Sequence, residues 1–450
     1  MTRRRVVALI DGEHYPPVVR FALDELRRAD DVVAAVFLGG TEKVGERDAD
    51  EDTYGLAVVR GASGDDALRA ALCAFPCDAV VDLSDEPVVS PADRFRLASI
   101  ALERGVAYEG ADFRFTPPTP RAVTRTPALA IIGTGKRVGK TAVAGYVARR
   151  LTACGRDLVV LAMGRGGPPR PELIYGEQVS LTVPDLLALA RQGRHASSDN
   201  YEDAVMARVT TVGCRRCGGG LAGETFFSNV AEGAQLADEL GKELLVLEGS
   251  GAAIPPVHYD ACLLVVGAGQ GIRYVRDFFG PYRLHVADGV IVASAEEPIA
   301  SRAQVDDLVS AIRALRPDIP VAVTTFRPVP VAPIEGLRVF FATTAPSAIL
   351  PTLVAHLERE FGCEVVAASS HLSNRAALRE DMSRAAGRYD VLLTELKAAA
   401  IDVVAAAGEE AGVPTVLCDN VPFAIEGDLD GTIEAAARLA IERGAERARG

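Results

Sequence analysis

Tryptophan is absent from this 450-residue chain, and only four methionines and six histidines occur in it. No stretch approaches the roughly 20 consecutive apolar residues that a membrane-crossing helix needs. The helix expected over residues 432–448 is rich in Ala and Arg and poor in large apolar residues, which argues against a membrane-surface helix. Basic charge is also short. With 48 Lys and Arg against 61 Asp and Glu, the formal charge is −13, which argues against a nucleic-acid partner. A small anionic partner stays compatible, because a local group of arginines can oppose the global sign. Eight scattered cysteines are no disulfide framework, so reduced thiols and a cytoplasmic location are expected. Arg3-Arg4-Arg5 followed by Val6–Ile10 is too short an apolar run for a signal peptide, and Asp11 ends it. Internal repeats and low-complexity segments are lacking as well.

What is present is a globular composition, 49% hydrophobic and 24% charged, on a chain long enough for two or three domains. Short β-branched runs alternate with Ala/Leu/Arg-rich helical segments, the pattern of parallel sheets with crossover helices. The expected fold class is α/β, and because Gly133–Thr141 is a glycine-rich phosphate loop between a strand and a helix, the parallel-sheet core is of the P-loop NTPase type, with an additional N-terminal α/β domain. Strands are expected at 6–10, 32–38, 79–82 and 106–108, with helices at 17–28, 64–73 and 91–104. Three prolines within Thr116–Pro120 read as a linker, since that density suits neither a helix nor a central strand. Beyond it, strands are expected at 157–162, 244–248, 262–266, 289–293 and 320–324. Prolines 328, 330 and 333 suggest a second boundary, followed by strands at 337–342, 363–368, 390–394 and 414–418. The resulting domains are 1–120, 121–330 and 331–450. Whether the last continues the core sheet or forms a lobe of its own is left open.

Residues 128–141 carry the most information. Five apolar residues run into Gly-Thr-Gly-Lys-Arg-Val-Gly-Lys-Thr, and an Ala-rich helical pattern follows through Cys154. A strand, a glycine loop and a helix in that order cradle phosphate with backbone N–H groups. The candidate nucleotide-binding residues are Gly133, Thr134, Gly135, Lys136, Arg137, Val138, Gly139, Lys140 and Thr141. Lys140 can reach the β- and γ-phosphates, and the Thr141 hydroxyl can hold Mg²⁺. Thr134 stands where the common pattern has glycine, and this spelling is similar to the loop of dethiobiotin synthetase and its ATP-dependent ligase relatives. Leu244–Leu247 lead into Glu248-Gly249-Ser250-Gly251, which places a carboxylate at a strand end beside that loop. Glu248 is therefore a candidate catalytic residue and metal ligand. Arg165, flanked by Gly164 and Gly166 after the strand that follows the phosphate-loop helix, offers a fork for phosphate or carboxylate.

Two further segments are candidates for substrate contact. After the first strand, Asp11-Gly12-Glu13-His14-Tyr15-Pro16-Pro17 packs polar groups into a rigid loop, nominating Glu13, His14 and Tyr15. Gly213-Cys214-Arg215-Arg216-Cys217-Gly218 invites a zinc or redox reading, but no second ligand pair lies at usable spacing. Arg215 and Arg216 on a flexible glycine loop over an anion are the preferred reading.

Together, the Asp-Gly-Glu-His-Tyr-Pro-Pro start, the phosphate loop, Met-Gly-Arg-Gly-Gly-Pro and the Cys-Arg-Arg-Cys stretch resemble the cyclic 2,3-diphosphoglycerate synthetase family over residues 5 to about 290. The resemblance implies an ATP-dependent ligase that closes 2,3-bisphosphoglycerate into its cyclic form with release of ADP and phosphate. It also implies Mg²⁺ and a cytoplasmic homodimer. Lys140, Glu248 and Arg165 would then carry catalysis. Another ligase or kinase acting on a different small anion is the alternative. A partition-type regulatory ATPase is disfavoured, because Gly135 stands where such proteins carry a second lysine.

Overall fold

The computed structural model describes residues 3–44 and 49–449, and the chain divides into two compact units. Unit 1 comprises Met1–Pro118 with Ile272–Val286, and unit 2 comprises Thr119–Gly271 with Ala287–Gly450. The division between Pro118 and Thr119 falls inside the first proline cluster. Among the described residues no helix is long and apolar enough to cross a membrane.

Unit 1 holds strands β1 (Arg5–Ile10), β2 (Asp31–Phe37), β3 (Val58–Val59), β4 (Ala79–Asp82), β5 (Ala107–Glu109) and β6 (Arg114–Phe115). They form one sheet in the order β3-β2-β1-β4-β5-β6, parallel except for β6. Val6, Ala8 and Ile10 of β1 pack with Leu23 of the helix Pro16–Ala29, an alternation set by the two-residue period of a strand. That helix opens on Pro16, where a missing N–H costs nothing. The other expected helices lie at Gly64–Ala74 and Pro91–Glu103. β3 and β6 were not foreseen, because two residues are too short to show a period.

In unit 2 the strands are β7 (Ala128–Gly133), β8 (Leu158–Gly164), β9 (Glu172–Tyr175), β10 (Thr210–Gly219), β11 (Thr225–Ser228), β12 (Leu244–Glu248), β13 (Ala261–Gly267), β14 (Gly289–Ala293), β15 (Val321–Pro330), β16 (Arg338–Ala342), β17 (Glu364–Ser369), β18 (Val391–Glu395) and β19 (Thr415–Glu426). They join in one sheet, ordered β11-β10-β8-β12-β7-β13-β14-β15-β19-β18-β16-β17, with β9 against β10. From β8 to β15 the pairings are parallel. Leu129, Ile131, Val246, Leu263 and Val265 share a buried cluster with Val143 and Val147 of the helix Lys140–Ala153 and Ile433 and Ala437 of the helix Leu429–Arg447. The Ala-rich C-terminal helix thus covers the core sheet.

The C-terminal strands belong to the same sheet, but they run the other way. β15 and β19 pair antiparallel from Val323 to Pro330, while β18, β16 and β17 run parallel to β19. The core meets this ribbon at Val321–Val323 of β15, and β18 meets it at Thr415–Cys418 of β19, opposite the far end of β15. The ribbon therefore offsets two sets of parallel strands and turns their carboxyl ends toward each other. Ligands of open α/β sheets bind at such ends.

Two prolines of the second cluster lie within this ribbon, and Pro333 follows it. Pro328 and Pro330 sit in β15 opposite Asn420 and Cys418, beyond the last pairing with β14 at Val323. Both occupy the same side of the strand, where no neighbour needs their N–H. This is why the strand passes through prolines that the sequence reads as a boundary.

Candidate active site

The phosphate loop joins β7 to the helix Lys140–Ala153, capped by Gly139 at φ +88°. A side chain there would meet the Phe326 ring at 2.3 Å, so both the turn and the close approach require glycine. At Gly133 a Cβ would lie 2.7 Å from Cδ of Lys140, which folds back over the loop and donates to the Gly135 carbonyl at 2.6 Å. Thr134 fastens the loop from its own side, its hydroxyl bonding the Gln270 side chain and its N–H the Val265 carbonyl. Burial pushes the Lys140 ammonium down to about 8, with Glu248 and Asp199 opposing the shift and Arg165 and Arg216 adding to it. Phosphate oxygens beside Nζ favour its charged form.

Glu248 ends β12 at 2% exposure, with the Thr141 hydroxyl and the Asp203 carboxylate as close polar neighbours. Its Oε2 and both oxygens of the buried Asp203 receive no hydrogen bond. Burial first, and then the crowding of carboxylates, holds Glu248 and Asp203 above the ordinary carboxylate range. Hard, unsatisfied oxygens next to a threonine hydroxyl fit a divalent cation shared with phosphate. Among the described residues no three His, Cys, Asp or Glu side chains make a closed metal-binding group. Phosphate oxygens would have to complete the shell of an ion held here.

Two guanidinium groups converge beside this loop. Nη2 of Arg165 and of Arg216 come within 2.8 and 3.0 Å of one point, the position a Cβ on Gly251 would take. Arg165 has no hydrogen bond or ion pair among the described residues. Arg216 donates to the carbonyls of Gly218 and Ser250, and its Nε is unsatisfied. Burial, and then Arg165, lower the Arg216 pKa. Like charges facing one another, neither in an ion pair among the described residues and with Asp199 the carboxylate that acts on Arg216, form a place for an anion. Arg215 binds the carbonyls of Gly167 and Pro168 and, with Arg165 and Arg216, lines a cavity of about 530 Å³.

The Cys-Arg-Arg-Cys stretch is not the flexible loop expected from its glycines. It lies in β10, parallel to β8 as far as Arg215 and then antiparallel to β11. Residues three apart on a strand point to opposite faces, so Cys214 is buried while Cys217 is exposed. Glu13, His14 and Tyr15 belong to unit 1, where Asp11 is fully buried and accepts from the N–H groups of Glu13, His14 and Asp85. His14 Nδ1 lies 2.8 Å from the same carboxylate, and Lys43 stands over the exposed Tyr15 ring.

A cavity of about 840 Å³ spans the facing carboxyl ends in unit 2. Lys136, Arg137, Lys140, Thr141 and Arg165 line it from the core, and Thr344, Ser373, Lys397 and Asn420 from the C-terminal lobe. Asp199 lines it too, but residues Asp199, Glu202 and Asp203 were missed by sequence reasoning. The burial of Glu202 and Asp203 is a tertiary effect that leaves no local pattern.

Family models for cyclic 2,3-diphosphoglycerate synthetase match the whole architecture: the N-terminal domain over residues 5–116, the P-loop domain over 128–325 and the C-terminal domain over 330–421. This chain belongs to that family. A cyclic 2,3-diphosphoglycerate synthetase from Rubrobacter xylanophilus is 52% identical, covering 97% of this chain and 98% of the relative. The proteins of that name from Methanothermus fervidus and Thermococcus kodakarensis are 45% and 48% identical, covering 98% and 94% of this chain, and 98% and 95% of the relatives. The phosphate loop thus sits in the P-loop domain of a synthetase family, and Lys397 and Asn420 lie in its C-terminal domain.

Proposed function

We propose that this chain uses ATP to close 2,3-bisphosphoglycerate into cyclic 2,3-diphosphoglycerate, releasing ADP and phosphate. The convergence of Arg165 and Arg216 on one point beside Lys140 is the observation that carries the reading. An acceptor with two phosphates and a carboxylate carries about four to five negative charges near neutral pH. Setting it next to a triphosphate requires cations that are not already paired, and Arg165 meets that requirement.

An oxygen of one substrate phosphate attacks the γ-phosphorus, forming a new P–O–P link as the bond to ADP breaks. The second substrate phosphate then attacks the inner phosphorus of that link. The ring closes, and the former γ-group leaves as inorganic phosphate. Lys140 neutralises the transferring group, while Arg165, Arg215 and Arg216 hold the acceptor phosphates. Thr141 and Glu248 would hold Mg²⁺, which supplies charge neutralisation between the phosphates. Catalysis here is positioning and electrostatics.

ADP release with 2,3-bisphosphoglycerate present tests the assignment. Arg165→Ala should lower it about 100-fold or more while ATP binding persists. Unaltered turnover would sink the role of Arg165. Equal turnover of other phosphorylated small acids by the unaltered protein would contradict the substrate assignment.

A further inference from the structure

We propose that Lys397, delivered by the C-terminal lobe, is a second catalytic cation that contacts the terminal phosphate of the nucleoside triphosphate, across the cavity from Lys140. The proposal rests on the nucleotide reading of the phosphate loop given above.

Lys397 follows Glu395, the last residue of β18, by two positions, and lines the same cavity as Lys140, Thr141 and Arg165. Its side chain keeps 24% of its surface open. The ammonium has three donors, and among the described residues it pairs with Glu202 alone, at 3.0 Å. Glu202 in turn leaves its buried Oε2 without a donor. A bridge built to hold two lobes together would satisfy both ends, as the neighbouring Glu395 does. That carboxylate accepts from the hydroxyls of Thr343 and Thr344, the Thr344 N–H and Asn420 Nδ2. The Lys397–Glu202 pair has spare capacity on both sides, and Lys397 lines a cavity shared with Lys140, Thr141 and Arg165.

The backbone on both sides of the pair is irregular. Ala398 adopts φ +49°, and a π-helical turn follows at Ala400–Ala405. Glu202 runs directly into a second π-helical turn, Asp203–Ala207. Such turns and left-handed non-glycine residues concentrate at working sites, where the fold sustains local strain to aim a side chain. Burial disfavours the Lys397 charge, but Glu202, Glu395 and Asp199 outweigh it and hold the ammonium above the ordinary lysine range. A fixed positive charge at this place neutralises charge that grows on the phosphoryl oxygens during transfer.

The test uses the full chain with Mg²⁺ and compares affinity for ADP with affinity for the β,γ-imido analogue of ATP. Lys397→Met should weaken the analogue about tenfold or more and leave ADP within about twofold, with turnover down about 100-fold. Because Lys397→Met strands Glu202, the double variant Lys397→Met/Glu202→Gln is measured beside it. It should regain thermal stability without regaining turnover or preference for the triphosphate. Unchanged preference in Lys397→Met, or turnover recovered in the double variant, overturns the proposal and leaves Lys397 a structural partner of Glu202. If the unaltered protein binds neither nucleotide, the nucleotide reading fails first, and this proposal falls with it.

Discussion

Strands β12 and β18 read almost alike, Leu-Leu-Val-Leu-Glu against Val-Leu-Leu-Thr-Glu, and each buries its terminal glutamate to 2% exposure. At the end of β18, Glu395 is surrounded by donors from β19 and from the turn after β16. At the end of β12, Glu248 keeps an unsatisfied oxygen and faces a second unsatisfied carboxylate, Asp203. Similar sequence, equal burial and opposite hydrogen-bond states show that burial alone does not mark a functional acid. A carboxylate with every lone pair engaged ties strands together. One left short of donors beside a phosphate loop has free lone pairs that a cation or a proton can take.

The comparison breaks most visibly in activity. Glu248→Gln should lower turnover by about 100- to 1,000-fold, while thermal stability stays level or rises because a crowded charge is gone. Steady-state kinetics beside a melting curve checks both halves, and a variant that loses stability with its activity would place Glu248 in the same class as Glu395. Next in size is Glu395→Ala, which strands the Thr343 and Thr344 hydroxyls and the Asn420 amide. It should cost about 2–4 kcal/mol of folding free energy, read as a lowered urea midpoint at unchanged slope.

The smallest effect is in pH dependence, and it sharpens the contrast by sign. Asp203 and Glu248 are held above their ordinary values of 3.8 and 4.5, so the folded chain keeps a proton that the unfolded chain gives up. Their contribution is full below those values and is lost as pH rises past them. Asp203→Asn should flatten that decline. Asp260 behaves oppositely. Although burial opposes it, Arg447 and the Ala128 N–H hold its carboxyl below 3.8. Its contribution is present above 3.8 and lost as pH falls below it, so Asp260→Asn should flatten the acid limb, each by about 1 kcal/mol. Stability measured across pH for the two variants decides, and changes of the same sign would contradict the assignment.

What could be read from the sequence was what is local. The phosphate loop, Glu248 at a strand end and Arg165 between glycines each follow from a few adjacent residues and the element that carries them. Arg215 and Arg216 were legible as candidates but not as a strand, since the glycines around them suggest a loop, whereas pairing with β8 and β11 overrides that tendency. Asp203 and Glu202 were not legible, because their burial comes from packing between distant segments. Lys397 and Glu395 follow an apolar run with no motif to mark them. The orientation of the C-terminal lobe depends on the antiparallel pairing of β15 with β19, two strands about 90 residues apart, and on prolines placed where no neighbour needs their N–H. No local pattern encodes that pairing.

The most direct test of the central claim is phosphorus NMR of the purified protein with ATP, Mg²⁺ and 2,3-bisphosphoglycerate. The account predicts new pyrophosphate resonances from a cyclic product, appearing in step with equal amounts of ADP and inorganic phosphate. ATP left intact, or hydrolysed while the bisphosphoglycerate signals stay unchanged, would contradict it.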